Sequence, residues 1–281
     1  LKFFHTCPAL AAALFAGGAA AQSSDRLDQS LWGRVGVFGA QVDSLVRIDY
    51  AGSASLGLPS VGTTLSFERD LGLPSRRAVP ELRLGWRLFD RGRLEFESTA
   101  LSRSATRTLL DKDIVVDGTT YSASAQLQSA FNSRVERLAA GYSFVKGPSG
   151  EVGAMLGVQF TRYRISLTGV GRFNDDPPAE RTVTQEDSGP LPTLGLFATA
   201  ALGGAWSADA RVDYLPVNSR TAKGELVNLE TNLYLRITPN VSAALGYRWV
   251  DYKIARKTSG ELTGRFEYLF RGPQLMLEFG F

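Results

Sequence analysis

Histidine and cysteine are almost missing from this chain. There is one of each in 281 residues, His5 and Cys7. A single cysteine rules out a disulfide scaffold, and only two methionines beside many short alternating stretches lean towards β structure. No sign of charge dominates: 31 Lys+Arg stand against 28 Asp+Glu, a formal net charge of +3. That balance argues against a nucleic-acid partner, which normally needs a basic stripe. Long apolar runs are also missing after Ala21, because Arg, Glu, Asp or Asn interrupts every one of them. A bilayer-crossing helix needs about 20 consecutive apolar residues, so no later segment qualifies. The chain is not a disordered polymer either, with 44% hydrophobic residues. Glycine is plentiful, at 29 residues.

The exception to the broken pattern is the N-terminus. Lys2 is followed by an apolar stretch from Pro8 to Ala21, closing on Ala19-Ala20-Ala21 before Gln22. A basic start, a short apolar region and small residues at Ala19 and Ala21 form the pattern of a cleaved secretory signal. Residues 1–21 are therefore expected to be removed, followed by a periplasmic segment at 22–30 and a folded domain at 31–281. Removal would take away His5 and Cys7, leaving 30 Lys+Arg against 28 Asp+Glu.

From residue 31 onward the hydrophobic period is two. Trp206, Ala208, Ala210, Val212 and Tyr214 alternate with Ser207, Asp209, Arg211 and Asp213. Leu82, Leu84, Trp86 and Leu88 alternate with Arg83, Gly85 and Arg87, and Leu94 and Phe96 with Glu95 and Glu97. Successive strand side chains point to opposite faces, so each segment has one apolar and one polar face. A soluble antiparallel sandwich produces such strands, and so does a membrane barrel that is apolar towards lipid and polar inside. Segment length favours the barrel, since globular strands average five or six residues. So does the alternation of short links with longer polar ones. The short links are Asp90–Arg93, Lys146–Gly150, Gly203–Ala205 and Thr238–Asn240.

The expected fold is all-β: a transmembrane antiparallel up-and-down β-barrel of ten strands, with eight or twelve as alternatives. The strands fall at 31–50, 78–89, 93–108, 122–145, 151–168, 191–203, 205–216, 222–237, 240–255 and 262–281. The outer loops fall at 51–77, 109–121, 169–190, 217–221 and 256–261, with a possible extra hairpin arm at Thr63–Phe67. Three changes of phase suggest β-bulges: between Val135 and Leu138, between Phe160 and Tyr163, and at Gly272-Pro273. Aromatic girdles are expected at the two membrane interfaces, from Trp32, Trp86, Phe96, Tyr142, Phe144, Trp206, Tyr214, Trp249, Phe266, Tyr268 and Phe279.

The chain ends Leu275-Met-Leu-Glu-Phe-Gly-Phe281. This resembles the C-terminal signal of bacterial outer-membrane proteins, with Phe279 and Phe281 as its aromatic positions. The stretch Gly62–Leu73 followed by Pro80–Arg87 also resembles a group of small outer-membrane barrels of Gram-negative bacteria without an agreed activity. The resemblance implies outer-membrane location and recognition by the barrel-assembly machinery. It also implies contact with outer-membrane lipid and lipopolysaccharide.

Assigning the polar phase to the interior places a charge ladder in the lumen. Its members are Glu81, Arg83, Arg87, Glu95, Glu97, Arg103, Arg137, Asp209, Arg211, Asp213, Glu230, Arg236, Arg248, Arg265 and Glu267. A ten-stranded barrel is only slightly wider than the eight-stranded kind that side chains fill. Two readings follow: a salt-bridged closed lumen, or a narrow pore for small or anionic solutes. Barrels of this size that act as proteases, phospholipases, deacylases or palmitoyltransferases use a catalytic histidine. Residues 22–281 contain none, so no histidine-based triad or usual zinc site is expected. No catalytic residue, metal or cofactor is assigned. Glu95 and Glu97 share a face as a glycosidase pair would, but an interior charge ladder is the better account of them. Asp175-Asp176 and Glu186-Asp187 read as solvated loop charge rather than a calcium site. Gly169-Val-Gly-Arg172 opens no helix and so is not a nucleotide loop. The expectation is a monomer with a structural or surface-interaction role.

Overall fold

A computed structural model describes residues 25–48, 64–108, 113–116, 119–121, 126–173, 177, 179–218, 222–258 and 261–281. The signal-cleavage residues Ala19 and Ala21, and Asp175 and Asp176, lie outside them.

The fold follows from the period of two. A single helical turn, α1 (Asp25–Asp28), precedes ten long strands: β1 (Leu31–Ile48), β3 (Arg76–Phe89), β4 (Gly92–Arg107), β7 (Leu127–Gly147), β8 (Gly150–Phe173), β9 (Ala179–Gly203), β10 (Trp206–Asn218), β11 (Ala222–Thr238), β12 (Val241–Thr258) and β13 (Glu261–Gly280). Each pairs antiparallel with its neighbours, and β1 pairs with both β3 and β13, which closes the barrel. The seam is long, running from Trp32 opposite Gly280 to Ile48 opposite Gly264. Closure leaves no unpaired edge in the barrel wall. Three short strands lie off the ring: β2 (Thr64–Ser66), β5 (Ile114–Val116) and β6 (Thr119–Tyr121).

One end carries four tight hairpins, at Asp90-Arg91, Pro148-Ser149, Gly204-Ala205 and Pro239-Asn240, together with both described termini. Gly203 and Gly204 sit at φ of 98° and 58°, a region open chiefly to glycine, and this lets the third hairpin reverse. We call this the turn end, and the opposite end the loop end.

Outward side chains form a continuous exposed apolar band. On β8 it comprises Val152, Ala154, Leu156, Val158 and Phe160, and then gives way to Arg162 and Arg164. On β7, Phe144, Tyr142, Ala140 and Leu138 give way to Glu136 and Arg134. Inward side chains reverse the order. They are charged near the turn end and apolar near the loop end, where Phe131, Leu127, Ile165 and Leu167 are buried. Above the band the barrel is therefore built like a soluble protein, apolar inside and polar outside.

This reversal corrects the expected bulges. Registers of β7 against β4 and β8 run unbroken through 135–138, and those of β8 against β7 and β9 through 160–163. In these two stretches the alternation of faces does not slip; the polarity of each face changes instead. At Gly272-Pro273 the pairing with β1 is interrupted opposite Gly39 and Ala40, but it resumes in the same register.

The loop 169–190 is also corrected. β8 and β9 continue through it as a hairpin, from Gly171 opposite Ala179 back to Gly150 opposite Ala200. Its outward face is largely polar, with Thr168 meeting Thr182 at 2.9 Å and Arg164 ion-pairing Glu186. On the inward face of 179–190, Val183 is the apolar side chain that packs on the core, too little alternation to mark a strand. Likewise β2 is not a free hairpin arm. It pairs with β1, Leu45 opposite Ser66, along the length that β3 leaves open. Its flank turns inward, with Leu65, Phe67, Leu71 and Leu73 all buried in the loop-end core.

Candidate functional site

The lumen is the place where chemistry-bearing side chains converge. Near the turn end, eight arginines and eight carboxylates pair across it among the described residues. Arg26, on α1, reaches in from below and donates from Nη2 to Asp209 Oδ2 and from Nε to Glu278 Oε1, both at 2.6 Å. Its guanidinium lies 3.5 Å from the Tyr234 ring centroid. Arg34 donates from Nε to Glu278 Oε2 at 2.5 Å. One layer up, Arg93 pairs with Glu151 and, at 3.3 Å, with Glu95, while Arg87 meets Glu151 at 3.2 Å.

The central layer is the densest. Arg83 contacts Glu230 at 2.7 Å, Glu81 at 2.9 Å and Glu97 at 3.3 Å. Arg211 contacts Glu97 at 2.6 Å, Asp213 at 3.1 Å, Glu230 at 3.2 Å and Glu95 at 3.7 Å. Arg248 pairs with Glu97 at 2.6 Å and Glu81 at 3.2 Å, and Arg137 with Asp213 at 2.7 Å. Neutral amides fill the gaps: Asn228 Nδ2 donates to Asp213, Asn232 Nδ2 to Glu230 and Asp209, and Gln274 Nε2 to Asn232. Burial is nearly complete, with Glu230 and Asp213 each 1% exposed. Charges this deep require partners, and the equal numbers of each sign provide them.

Backbone geometry makes room for these groups. An added Cβ on Gly246 would stand 2.0 Å from the Asn232 amide oxygen, and one on Gly85 would stand 2.0 Å from the Trp32 ring.

Near the loop end the interior turns aromatic. Phe266 stacks on Tyr163 at 5.0 Å, and Phe131 lies 5.4 Å from Tyr268 and 5.2 Å from Phe67. Above them Arg103 donates to Glu68 Oε1 at 2.5 Å and to Ser44 Oγ at 2.7 Å. The Ser44 backbone N–H donates to Glu68 Oε2 at 2.9 Å. These bonds fasten the segment after β2 across the mouth.

Of the ladder read from sequence, Glu81, Arg83, Arg87, Glu95, Glu97, Arg137, Asp209, Arg211, Asp213, Glu230 and Arg248 meet in the lower network. Arg103 lies in the mouth, and Arg236 faces inward near the turn end. Arg265 and Glu267 do not join them. They sit on the outward face of β13 and pair with each other, the Arg265 side chain being 63% exposed. Their neighbours Phe266 and Tyr268 point inward, each 7% exposed, which removes both from the girdle. This stretch lies above the band, where the outward face is the polar one. Trp32 is also inward and 6% exposed, because Gly85 leaves space for its ring. Trp86, Phe96, Tyr142, Phe144, Trp206 and Phe279 face outward towards the turn end of the band, and Tyr214 and Trp249 towards its loop end. Phe281, the last residue, is 70% exposed and bonds through its backbone to Ser30 and Leu31.

Sequence reading missed Arg26, Arg34, Glu68, Arg93, Glu151 and Glu278. Arg34 and Glu278 alternate with Val35 and Leu277 in the same period, so that signal was present. Arg26 and Glu68 lie outside the barrel strands and carried no periodic signal.

No family model matches the chain, and no curated protein matches it. Among solved structures, the outer-membrane protease OmpT from Escherichia coli superposes with a TM-score of 0.58 at 13% identity, over 89% of this chain and 96% of that one. The toluene transporter TodX of Pseudomonas putida gives 0.38 at 8% identity, over 92% of each chain. Neisserial surface protein A gives 0.25 at 13% identity, over 90% of this chain and 97% of its own. The first score establishes a shared architecture; the other two carry no structural argument. The chain has the fold of the bacterial outer-membrane β-barrels, closed by ten antiparallel strands.

Proposed function

We propose that this protein is an integral barrel of the bacterial outer membrane, exported through a cleaved signal, with a sealed lumen and no catalytic activity. Its working surface is the loop end. The turn end then faces the periplasm and the apolar band sits in lipid. Outward Arg134, Arg162 and Arg164 stand just beyond the band, at the level of lipid headgroups and lipopolysaccharide. The chain is a monomer delivered by the barrel-assembly machinery and has no nucleic-acid partner.

The observation that carries this reading is the neutral, almost fully buried ion network. It supports a sealed lumen because a conducting pore needs a continuous water path, and buried pairs of this density occupy that path. The absence of histidine and cysteine from residues 22–281 supports a non-catalytic role. Purified protein in planar bilayers tests the seal: silence is expected, and steady unitary current steps overturn it. Mass spectrometry of lipid A from cells with and without the protein tests the second half, an unchanged spectrum being expected. In SDS, the folded barrel should migrate differently before and after boiling.

A further inference from the structure

Between the ion network and the aromatic mouth lies a cavity of about 80 Å³ inside the barrel. One water needs roughly 10–15 Å³ of such space, so this room suits a single small molecule and not a lipid chain. Its walls differ from side to side. β12, β13 and β1 supply an aromatic and aliphatic wall: Phe38, Val250, Tyr252, Phe266, Tyr268 and Phe270. β4, β7 and β8 supply neutral polar groups on the other side: Thr99, Ser133, Gln159 and Thr161.

Two details narrow the occupant. Among the described residues the one charged group in the lining is Arg248, and its guanidinium is taken by Glu81, Glu97 and Asn228. An anion would have to dismantle that set, so a neutral molecule fits. Tyr268 offers the cavity its ring alone, because its hydroxyl is fully covered. The hydroxyls of Thr99, Ser133 and Thr161 belong to residues that line the space, and they can serve a ligand oxygen. Pockets that hold small molecules combine such an apolar wall with a few fixed polar groups.

We propose that the upper lumen is a binding site for a neutral, single-ring amphipathic molecule, its ring against Phe266 and Phe270 and its hydroxyl or carbonyl at Thr99, Ser133 and Thr161. The site does not depend on whether the lower lumen conducts.

The full-length protein in detergent micelles is titrated with 3-fluorobenzyl alcohol and followed by ¹⁹F NMR. One saturable site is expected above the linear background of micelle partitioning. 3-Fluorobenzoate should bind at least about tenfold more weakly, since Arg248 is already engaged. Ser133→Ala should weaken the alcohol about five- to tenfold while leaving 3-fluorotoluene unchanged. Val250→Trp, which fills the cavity, should abolish saturation while the barrel keeps its heat-modifiable mobility. Leu101→Phe, another lining position, is a milder filling variant if Val250→Trp does not fold. The absence of a saturable site overturns the proposal. So does wild-type affinity in the folded filling variant, or tighter binding of the benzoate than of the alcohol.

Discussion

Arg211 is the most connected cation in the lumen, and replacing it with alanine measures how dry that lumen is. Four carboxylates lie within 3.7 Å of its guanidinium: Glu95, Glu97, Asp213 and Glu230. Removing it leaves seven arginines facing eight carboxylates, so one negative charge is buried without compensation. Stripping one partner from a buried pair costs about 3–5 kcal/mol, whereas a solvated pair is worth about 0–1 kcal/mol. Equilibrium urea unfolding in lipid vesicles, followed by tryptophan fluorescence, reports the difference. With a slope near 3 kcal/mol per molar, the midpoint should fall by roughly 1–2 M. Arg211→Met combined with Glu230→Gln restores neutrality and leaves an amide that can still accept from Arg83. That double variant should recover about half of the loss, as coupled neighbours do. A single-variant loss below about 1 kcal/mol, with no recovery in the double, would refute the argument: the network would then be hydrated and the lumen open to water.

The waterline of the barrel can be tested on one strand. Leu156→Arg, in the exposed apolar band, should cost about 2–4 kcal/mol in the same unfolding assay, while Arg162→Leu, six residues on along the same face, should be nearly neutral. Phe67→Ala should loosen the segment across the mouth, because it removes a ring with no exposed surface that packs on Phe131. Truncations of this kind cost about 3–5 kcal/mol, and hydrogen exchange should quicken at 64–73 before it does in the barrel wall. At the turn end, Lys146 donates to Asp90 at 2.6 Å and holds that carboxyl below its usual range. A depressed carboxylate stabilises the fold above its unfolded value and loses that contribution as pH falls through the lowered value. Lys146→Ala should therefore move the Asp90 titration upward, as read by carbon NMR.

The barrel was legible in the sequence because lipid and lumen impose opposite demands on alternate residues. Strands such as 205–216 alternate so cleanly that both existence and facing follow from Trp206 through Tyr214. Legibility fails where the environment changes. Tyr268 and Leu275 belong to one strand and look like one apolar face that slips by a residue. They are in fact on opposite faces, one covered by the mouth and the other exposed in the band. A period analysis that equates apolar with lipid-facing must insert a bulge there. The hairpin at 169–190 was hidden for a related reason, since between 179 and 190 it turns little besides Val183 towards the core and so hardly alternates. Eleven of the sixteen charged residues in the lower network were readable for the same cause as the strands. Arg83, Glu97, Arg211 and Glu230 declare themselves by phase, but their mutual pairing depends on registers between distant strands. Arg26 and Glu68 enter the barrel from its two ends, where only the folded chain brings them in.

The closing bonds at those two ends have a consequence for assembly. Arg26 engages Asp209 and Glu278, which lie on β10 and β13, and Glu68 engages Ser44 and Arg103, which lie on β1 and β4. The Glu68 bonds need only the first three strands of the wall, β1, β3 and β4, to have come together. Those of Arg26 need β10 and β13, so the turn end can be stoppered only when the wall is complete or nearly so. A molecule trapped between the plugs would have to arrive during that interval or wait for a stopper to lift.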